Sequence, residues 1–144
     1  MNALDLSLKH GDDNTAELFA SLKYNGFEGE GSCFVDTVAL AACAHRFALF
    51  PLPNDGSVCI EGGYFNQDMS ELQQTHLHIS AWPKDALGTL ALQVKLAAPV
   101  DRDISDFEAK LSCVIPVSYE QLKSLAEAIL ALAERHSDEF MINL

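Results

Sequence analysis

The sequence predicts an α+β fold, in which a largely antiparallel sheet of six to seven strands has two helices packed on one face, in the order βββ-α-ββββ-α. Most segments alternate apolar and polar residues, which is the period of a half-buried strand. Asn25-Gly26 is the dipeptide typical of a two-residue hairpin turn. Two further segments follow the helix-capping residues Asp36 and Ser118. The short connections between the strands favour antiparallel pairing.

Three strands are predicted before the first helix. Residues 4–8 alternate leucine with polar residues, and a turn at 11–14 separates them from a second alternation that ends at Tyr24. The turn at Asn25-Gly26 places Tyr24 opposite Phe27 on the same face of the hairpin. The third strand therefore continues the apolar side from Phe27 onward, and its glutamates face away from it.

Both helices are predicted from their caps. Asp36 caps a helix over about Thr37–Leu49, which is rich in alanine and nearly apolar all round, so we expect it to be well buried. Ser118 and Gln121 form a capping box for a final helix that runs to about Arg135. That helix carries a single apolar stripe, formed by Leu122, Leu125, Ala126, Ile129, Leu132 and Ala133.

Four strands are predicted between the two helices. A short strand begins at Val58 and ends at Gly62-Gly63, and the polar residues 66–74 are predicted to form a loop. A hairpin pairs residues 76–82 with residues 89–96. A charged loop over 101–106 precedes the last of the four strands, over 107–115.

Charge is the most informative compositional feature. The chain of 144 residues has 9 Lys plus Arg and 21 Asp plus Glu, which gives a net charge of −12. Between Phe47 and Pro83 there is no Lys or Arg. A polyanion is repelled by nucleic acid and by anionic membranes, so we expect neither as a partner and expect a basic protein instead. The length predicts one domain over residues 1–144.

The chain has no predicted export signal and no apolar stretch long enough to span a membrane, which predicts a cytoplasmic protein with reduced cysteines. Cys33, Cys59 and Cys113 are assigned to the apolar phase of their strands, and Cys43 to the alanine-rich helix. Core packing is therefore the favoured interpretation of all four, and no catalytic residue is predicted.

His76 and His78 are the candidates for metal chemistry. At positions i and i+2 of a strand they share a face, and Glu61 or Glu108 on a neighbouring strand could add a ligand. Two histidines on a solvated sheet face are more often ordinary polar residues, so we predict no metal and no cofactor. The glycines at 29, 31, 62 and 63 match no phosphate-binding pattern, and a bulge or a strand end explains them better.

Exposed aromatic side chains beside carboxylates indicate a protein-binding surface. Phe19 and Trp82 fall in the polar phase of their strands. Rigid apolar anchors combined with steering charges suit a basic partner. The alternative is that Trp82 packs under a neighbouring segment. The predicted partner-binding residues are Glu17, Phe19, Glu28, Glu30, Glu61 and Trp82.

Three segments carry a resemblance to a known group of proteins. They are residues 33–51, the run Glu61-Gly62-Gly63-Tyr64, and the hairpin over residues 75–94. Together they resemble small bacterial proteins that include immunity proteins of the WapI type. The resemblance implies a protein that neutralises a toxin domain of a polymorphic contact-dependent system, and it implies no particular site residues.

The leading hypothesis is therefore a non-enzymatic protein-binding module, of the immunity type, that neutralises a basic toxin domain through an acidic surface. One alternative is a small metal-dependent or thiol enzyme that uses His76 and His78. Another is a housekeeping interaction subunit without a toxin partner. A homodimer formed through an edge strand is a further possibility.

Overall fold

A computed structural model describes residues 1–101 and 107–144 of the chain. Most of the charged loop predicted over 101–106 therefore lies outside the described residues. The described chain forms eight strands and two helices. In order they are β1 (Ala3–His10), β2 (Thr15–Tyr24), β3 (Phe27–Asp36), α1 (Thr37–Phe47), β4 (Cys59–Phe65), β5 (Leu72–Pro83), β6 (Leu90–Ala97), β7 (Lys110–Val117), α2 (Tyr119–Ala133) and β8 (Glu139–Asn143).

The predicted α+β class with antiparallel strands is confirmed, but the prediction of one sheet of six to seven strands is wrong. The strands form two four-stranded antiparallel sheets. Sheet A has the order β3-β2-β1-β8, and sheet B has the order β4-β5-β6-β7. The helix α1 stands between β3 and β4, and those two consecutive strands belong to different sheets. The apolar faces of both sheets and the buried sides of both helices share one core.

Sheet A begins with the predicted hairpin. Asn25 and Gly26 have φ angles of 49° and 89°, as a two-residue turn of this type requires, and Tyr24 pairs with Phe27. The predicted alternation in β1 is confirmed, because Leu4, Leu6 and Leu8 are all buried. The eighth strand, β8, was not predicted. It pairs with β1 on the side opposite β2.

Strand β3 crosses over sheet B at close range. A Cβ added at Gly29 would lie 3.0 Å from Leu111 of β7, and one added at Gly31 would lie 2.5 Å from the carbonyl oxygen of His76 in β5. At the β4 edge, a Cβ added at Gly62 would lie 2.8 Å from Cys33. Of the bulge or strand end expected at these glycines, a bulge is found at Gly62/Gly63, where the register shifts, and the strand continues to Phe65. Gly29 and Gly31 lie in a regular ladder, and close backbone approach explains them instead.

The helices follow their predicted caps. Asp36 Oδ1 accepts hydrogen bonds from the amides of Val38 and Ala39, at 2.8 Å and 3.0 Å. The capping box of Ser118 and Gln121 is formed. The expectation that α1 is well buried is wrong, because only Leu40, Ala44 and Phe47 are buried and Val38 is 64% exposed. The two helices pack against each other.

Several strand boundaries differ from the prediction. Strand β5 begins at Leu72, inside the segment predicted to be a loop, and β4 extends to Phe65. Strand β7 begins at Lys110 and not at Phe107, whose side chain is 90% exposed and does not contribute to the apolar face of the sheet. Among the described residues, no helix is long and apolar enough to cross a membrane.

Candidate functional site

The side of sheet A that faces away from the core is rich in carboxylates. Alternation along the strands sends their leucines and alanines inward and their polar residues outward. We call this surface the acidic face and define it by its outward residues Asp5, Glu17, Phe19, Glu28, Glu30 and Glu139.

Phe19 lies in the middle of the acidic face and is 39% exposed. Its direct cross-strand neighbours are Ser7 of β1 and Ser32 of β3. Asp5 and Glu30 occupy the next outward positions on those two strands, and they stand opposite each other with Ser21 between them. An apolar ring is therefore bordered by small hydroxyl side chains and then by carboxylates.

A groove of about 700 Å³ opens over this part of sheet A. Its floor includes Phe19, and β8 contributes a further side with Glu139 and Met141. The segment Ala97–Pro99, which follows β6, forms another wall. No Lys or Arg is among the described residues that line it. They are Asp5, Leu6, Ser7, Phe19, Ala20, Ser21, Glu30, Gly31, Ser32, Ala97, Ala98, Pro99, Glu139, Phe140 and Met141.

Most carboxylates of the acidic face have no basic side chain beside them. Glu28 and Glu17 are the exceptions, because Lys23 Nζ lies 3.6 Å from the Glu28 carboxylate and Lys9 is the direct cross-strand neighbour of Glu17. Glu17 Oε2 accepts a hydrogen bond of 3.0 Å from the Ser32 hydroxyl. Within the described part of the chain, no ion pair involves Asp5, Glu30 or Glu139. The three carboxylates that line the groove beside Phe19 are therefore without an ion pair among the described residues.

The structure divides the six predicted partner-binding residues between the two sheets. Glu17, Phe19, Glu28 and Glu30 lie together on the acidic face, whereas Glu61 and Trp82 lie on the outer side of sheet B. Trp82 is half-buried, and Ala91 directly opposite it is 2% exposed.

His76 and His78 do not form the predicted pair. The register of β4 and β5 shifts at Gly62/Gly63, so that His76 has no paired residue on β4 whereas His78 pairs with Glu61. The two side chains therefore have different neighbours. His76 is 4% exposed. Its ring packs edge-on against the Tyr64 ring, with the ring centroids 4.5 Å apart, and its Nε2 lies 3.1 Å from Gln74 Oε1. Burial lowers the pKa of His76.

His78 faces a different set of groups, on the outer side of sheet B. Its Nδ1 lies 3.1 Å from Glu61 Oε2 and 3.8 Å from Cys59 Sγ, and its Nε2 lies 2.9 Å from Ser80 Oγ. Glu108, the other glutamate considered as a ligand, has its carboxylate 3.2 Å from Lys110 Nζ.

The assignment of Cys59 to the apolar phase is wrong. Val58 and Ile60 are buried, so Cys59 between them points outward, opposite Ser80. Burial among its neighbours, with added repulsion from the Glu61 carboxylate, raises the pKa of Cys59 to about 11. A thiol of that pKa is almost entirely protonated at neutral pH, which argues against nucleophilic catalysis. Cys33 is buried, and its pKa is raised to about 12, mainly by desolvation.

Several residues of the groove were not predicted as site residues. Asp5, Ser7 and Ser21 could have been predicted, because the alternation along β1 and β2 already placed them on the same outward side as Phe19. Glu139 and Met141 lie on β8, the strand that the pattern did not reveal. Comparisons of the chain with protein-family models, with curated proteins and with solved structures found no match.

Proposed function

We propose that this protein is a non-enzymatic binding module whose acidic face holds a basic segment of a partner protein. The observation that carries the proposal is the groove over sheet A, with the Phe19 ring on its floor and Asp5, Glu30 and Glu139 at its sides. An apolar side chain of the partner would pack on Phe19, and flanking Lys or Arg side chains would meet the carboxylates.

The charge of the face sets the expected kinetics. Carboxylates without local counterions attract a basic partner over a distance of about 8 Å at physiological ionic strength, which raises the association rate. The same charge opposes a homodimer formed face to face, because two copies would bring like charges together. A dimer through the β3 or β8 edge of sheet A would avoid that repulsion.

The partner class that we propose is a toxin domain, as the resemblance to immunity proteins implies, and the site of action is the cytoplasm. An immunity protein of this kind neutralises its partner by occupying it and needs no chemistry of its own. The enzyme alternative receives no support from the cysteines, because burial keeps the thiols of Cys33 and Cys59 protonated at neutral pH.

The test uses a purified basic toxin domain as the candidate partner, with association followed by stopped flow. Phe19→Ala should weaken binding by about 2 kcal/mol, roughly 30-fold, if the ring is a central anchor. Glu30→Lys should lower the association rate and its dependence on salt. Glu127→Lys, an exposed position on α2, is the matched control and should change neither.

Growth protection separates the toxin hypothesis from a housekeeping role. Cells that express the toxin domain should survive with the wild-type chain and with Glu127→Lys, and should lose protection with Phe19→Ala. Equal effects of Glu30→Lys and Glu127→Lys on binding, or an association rate that does not respond to salt, would contradict the proposed surface.

A further inference from the structure

We propose that Cys59, Glu61 and His78 form a binding site for a zinc-type transition-metal ion on the outer side of sheet B. The site is distinct from the acidic face, which lies on the other sheet, and it does not depend on the proposed function. Cys59 and Glu61 are at positions i and i+2 of β4 and so share a face. His78 of β5 is the direct cross-strand partner of Glu61.

The distances between the three donor atoms fit one small ion. Cys59 Sγ, Glu61 Oε2 and His78 Nδ1 all lie within 4.8 Å of one another. The separation of Sγ and Nδ1 is 3.8 Å, and that of Nδ1 and Oε2 is 3.1 Å. With metal–donor bonds of about 2.0–2.3 Å, a tetrahedral zinc ion holds nitrogen, oxygen and sulfur ligand atoms of this set about 3.3–3.6 Å apart. The two separations at Nδ1 differ from these values by about 0.2–0.3 Å, and the Cys59 and Glu61 donor atoms, which lie within 4.8 Å of each other, would have to approach by up to about 1.2 Å.

The orientation of the His78 ring supports a metal better than a simple hydrogen bond. Both Cys59 Sγ and Glu61 Oε2 approach the same ring nitrogen, Nδ1, which carries at most one proton. An ion between the three atoms would use a lone pair from each. The other ring nitrogen, Nε2, is held by Ser80 Oγ at 2.9 Å, and such a partner fixes the tautomer and the orientation of a ligating histidine.

The donor set indicates the class of metal. One thiolate, one imidazole and one carboxylate suit zinc and its neighbours, whereas magnesium and calcium prefer oxygen ligands throughout. Glu61 has a side-chain exposure of 50%, so an ion has a path from solvent. Three protein ligands leave the fourth tetrahedral position to water or to an incoming group. Lys95, directly opposite His78 on β6, places a positive charge beside the site and would reduce its affinity for a cation.

The test titrates the chelator-treated full chain with Zn²⁺ by calorimetry and with Co²⁺ by absorption spectroscopy. We expect one ion per chain and a thiolate-to-cobalt charge-transfer band. Cys59→Ser should abolish the band, and His78→Gln should weaken binding by more than about 100-fold, because even partners of ligands typically contribute 10–100-fold. Ser80→Ala should lower the affinity by about 10–100-fold, while Lys95→Gln should raise it.

Cys113→Ser is the matched control, because Cys113 is a half-buried thiol on the core side of β7. It should keep both the band and the affinity. Circular dichroism of each variant separates lost ligands from lost folding. Absence of stoichiometric binding in the wild-type chain, or an unchanged cobalt band in a folded Cys59→Ser variant, would overturn the proposal. A failure here would leave the acidic face and its test untouched.

Discussion

The contact between β3 and sheet B predicts that Gly31→Ala destabilises the protein strongly. The new Cβ would lie 2.5 Å from the His76 carbonyl oxygen and 3.4 Å from the Ala97 nitrogen, and both are backbone atoms that cannot rotate away. The φ of Gly31 lies outside the left-handed region, so backbone strain adds nothing. In the absence of a clash, the substitution would stabilise the protein by about 0.4–1 kcal/mol, because alanine restricts the unfolded chain.

The expected magnitude follows from overpacking. Forcing extra atoms into a packed core costs about 1–3 kcal/mol, and an immobile backbone obstacle favours the upper end. With an m-value of about 2 kcal/mol per molar urea, a loss of about 3 kcal/mol lowers the unfolding midpoint by about 1.5 M. Equilibrium urea unfolding, followed by circular dichroism, measures both quantities.

Gly29→Ala is the matched control on the same strand and the same face. Its Cβ would lie 3.0 Å from Leu111 Cβ and 3.1 Å from Leu111 Cδ2, which is 0.5 Å or more farther than the contact at Gly31, and only the Cδ2 contact can be relieved by a change of rotamer. We therefore expect a loss of about 1 kcal/mol, the low end of overpacking costs. A Gly31→Ala variant that is as stable as the wild type, or no worse than Gly29→Ala, would refute the close crossing of the two sheets.

Three further predictions address the cap, a buried thiol and the last strand. Asp36→Ala should lower the free energy of unfolding by about 1 kcal/mol through loss of the α1 cap, whereas Asp12→Ala in an exposed turn should change it little, as urea unfolding will show. The pKa of Cys33 is raised from 9.0 to about 12, so its thiolate fraction at pH 8 falls about 1000-fold. Alkylation followed by mass spectrometry should therefore find Cys33 unreactive until the chain unfolds. Ile142→Ala should cost about 2–5 kcal/mol because the side chain is 7% exposed, and exposed Met141→Ala much less; equal losses in thermal unfolding would contradict the placement of β8.

Local patterns predicted the elements of this fold except β8, but not their partition into sheets. The alternation in β1 and β2, the Asn25-Gly26 turn and the caps at Asp36 and Ser118 are all decided within a few residues, so the sequence displays them directly. Which strands share a sheet depends on contacts between distant segments. The glycines of β3 carried that information, but a glycine that permits close approach has the same sequence signature as one in a bulge.

The errors at the candidate sites have specific causes. Val58, Cys59 and Ile60 are all apolar in character, so the phase of Cys59 was ambiguous until the pairing of β4 with β5 placed it opposite Ser80. The bulge in the same pair moved His76 away from His78; Gly62-Gly63 indicated a bulge or a strand end, but not that His76 of β5 would be the unpaired residue. Strand β8 is only five residues long and keeps one residue, Ile142, buried, which is too little alternation to detect.

The outer faces of the two sheets differ in the charge that they carry. Sheet A presents five outward carboxylates, Asp5, Glu17, Glu28, Glu30 and Glu139, against two outward lysines, Lys9 and Lys23. Sheet B presents Glu61 against Lys95 and Lys110. Charge that served solubility alone would have no reason to favour one face over the other. Its concentration around the Phe19 groove is what steering of a basic partner requires, whereas the near-neutral face of sheet B suits a small ion held by direct ligands.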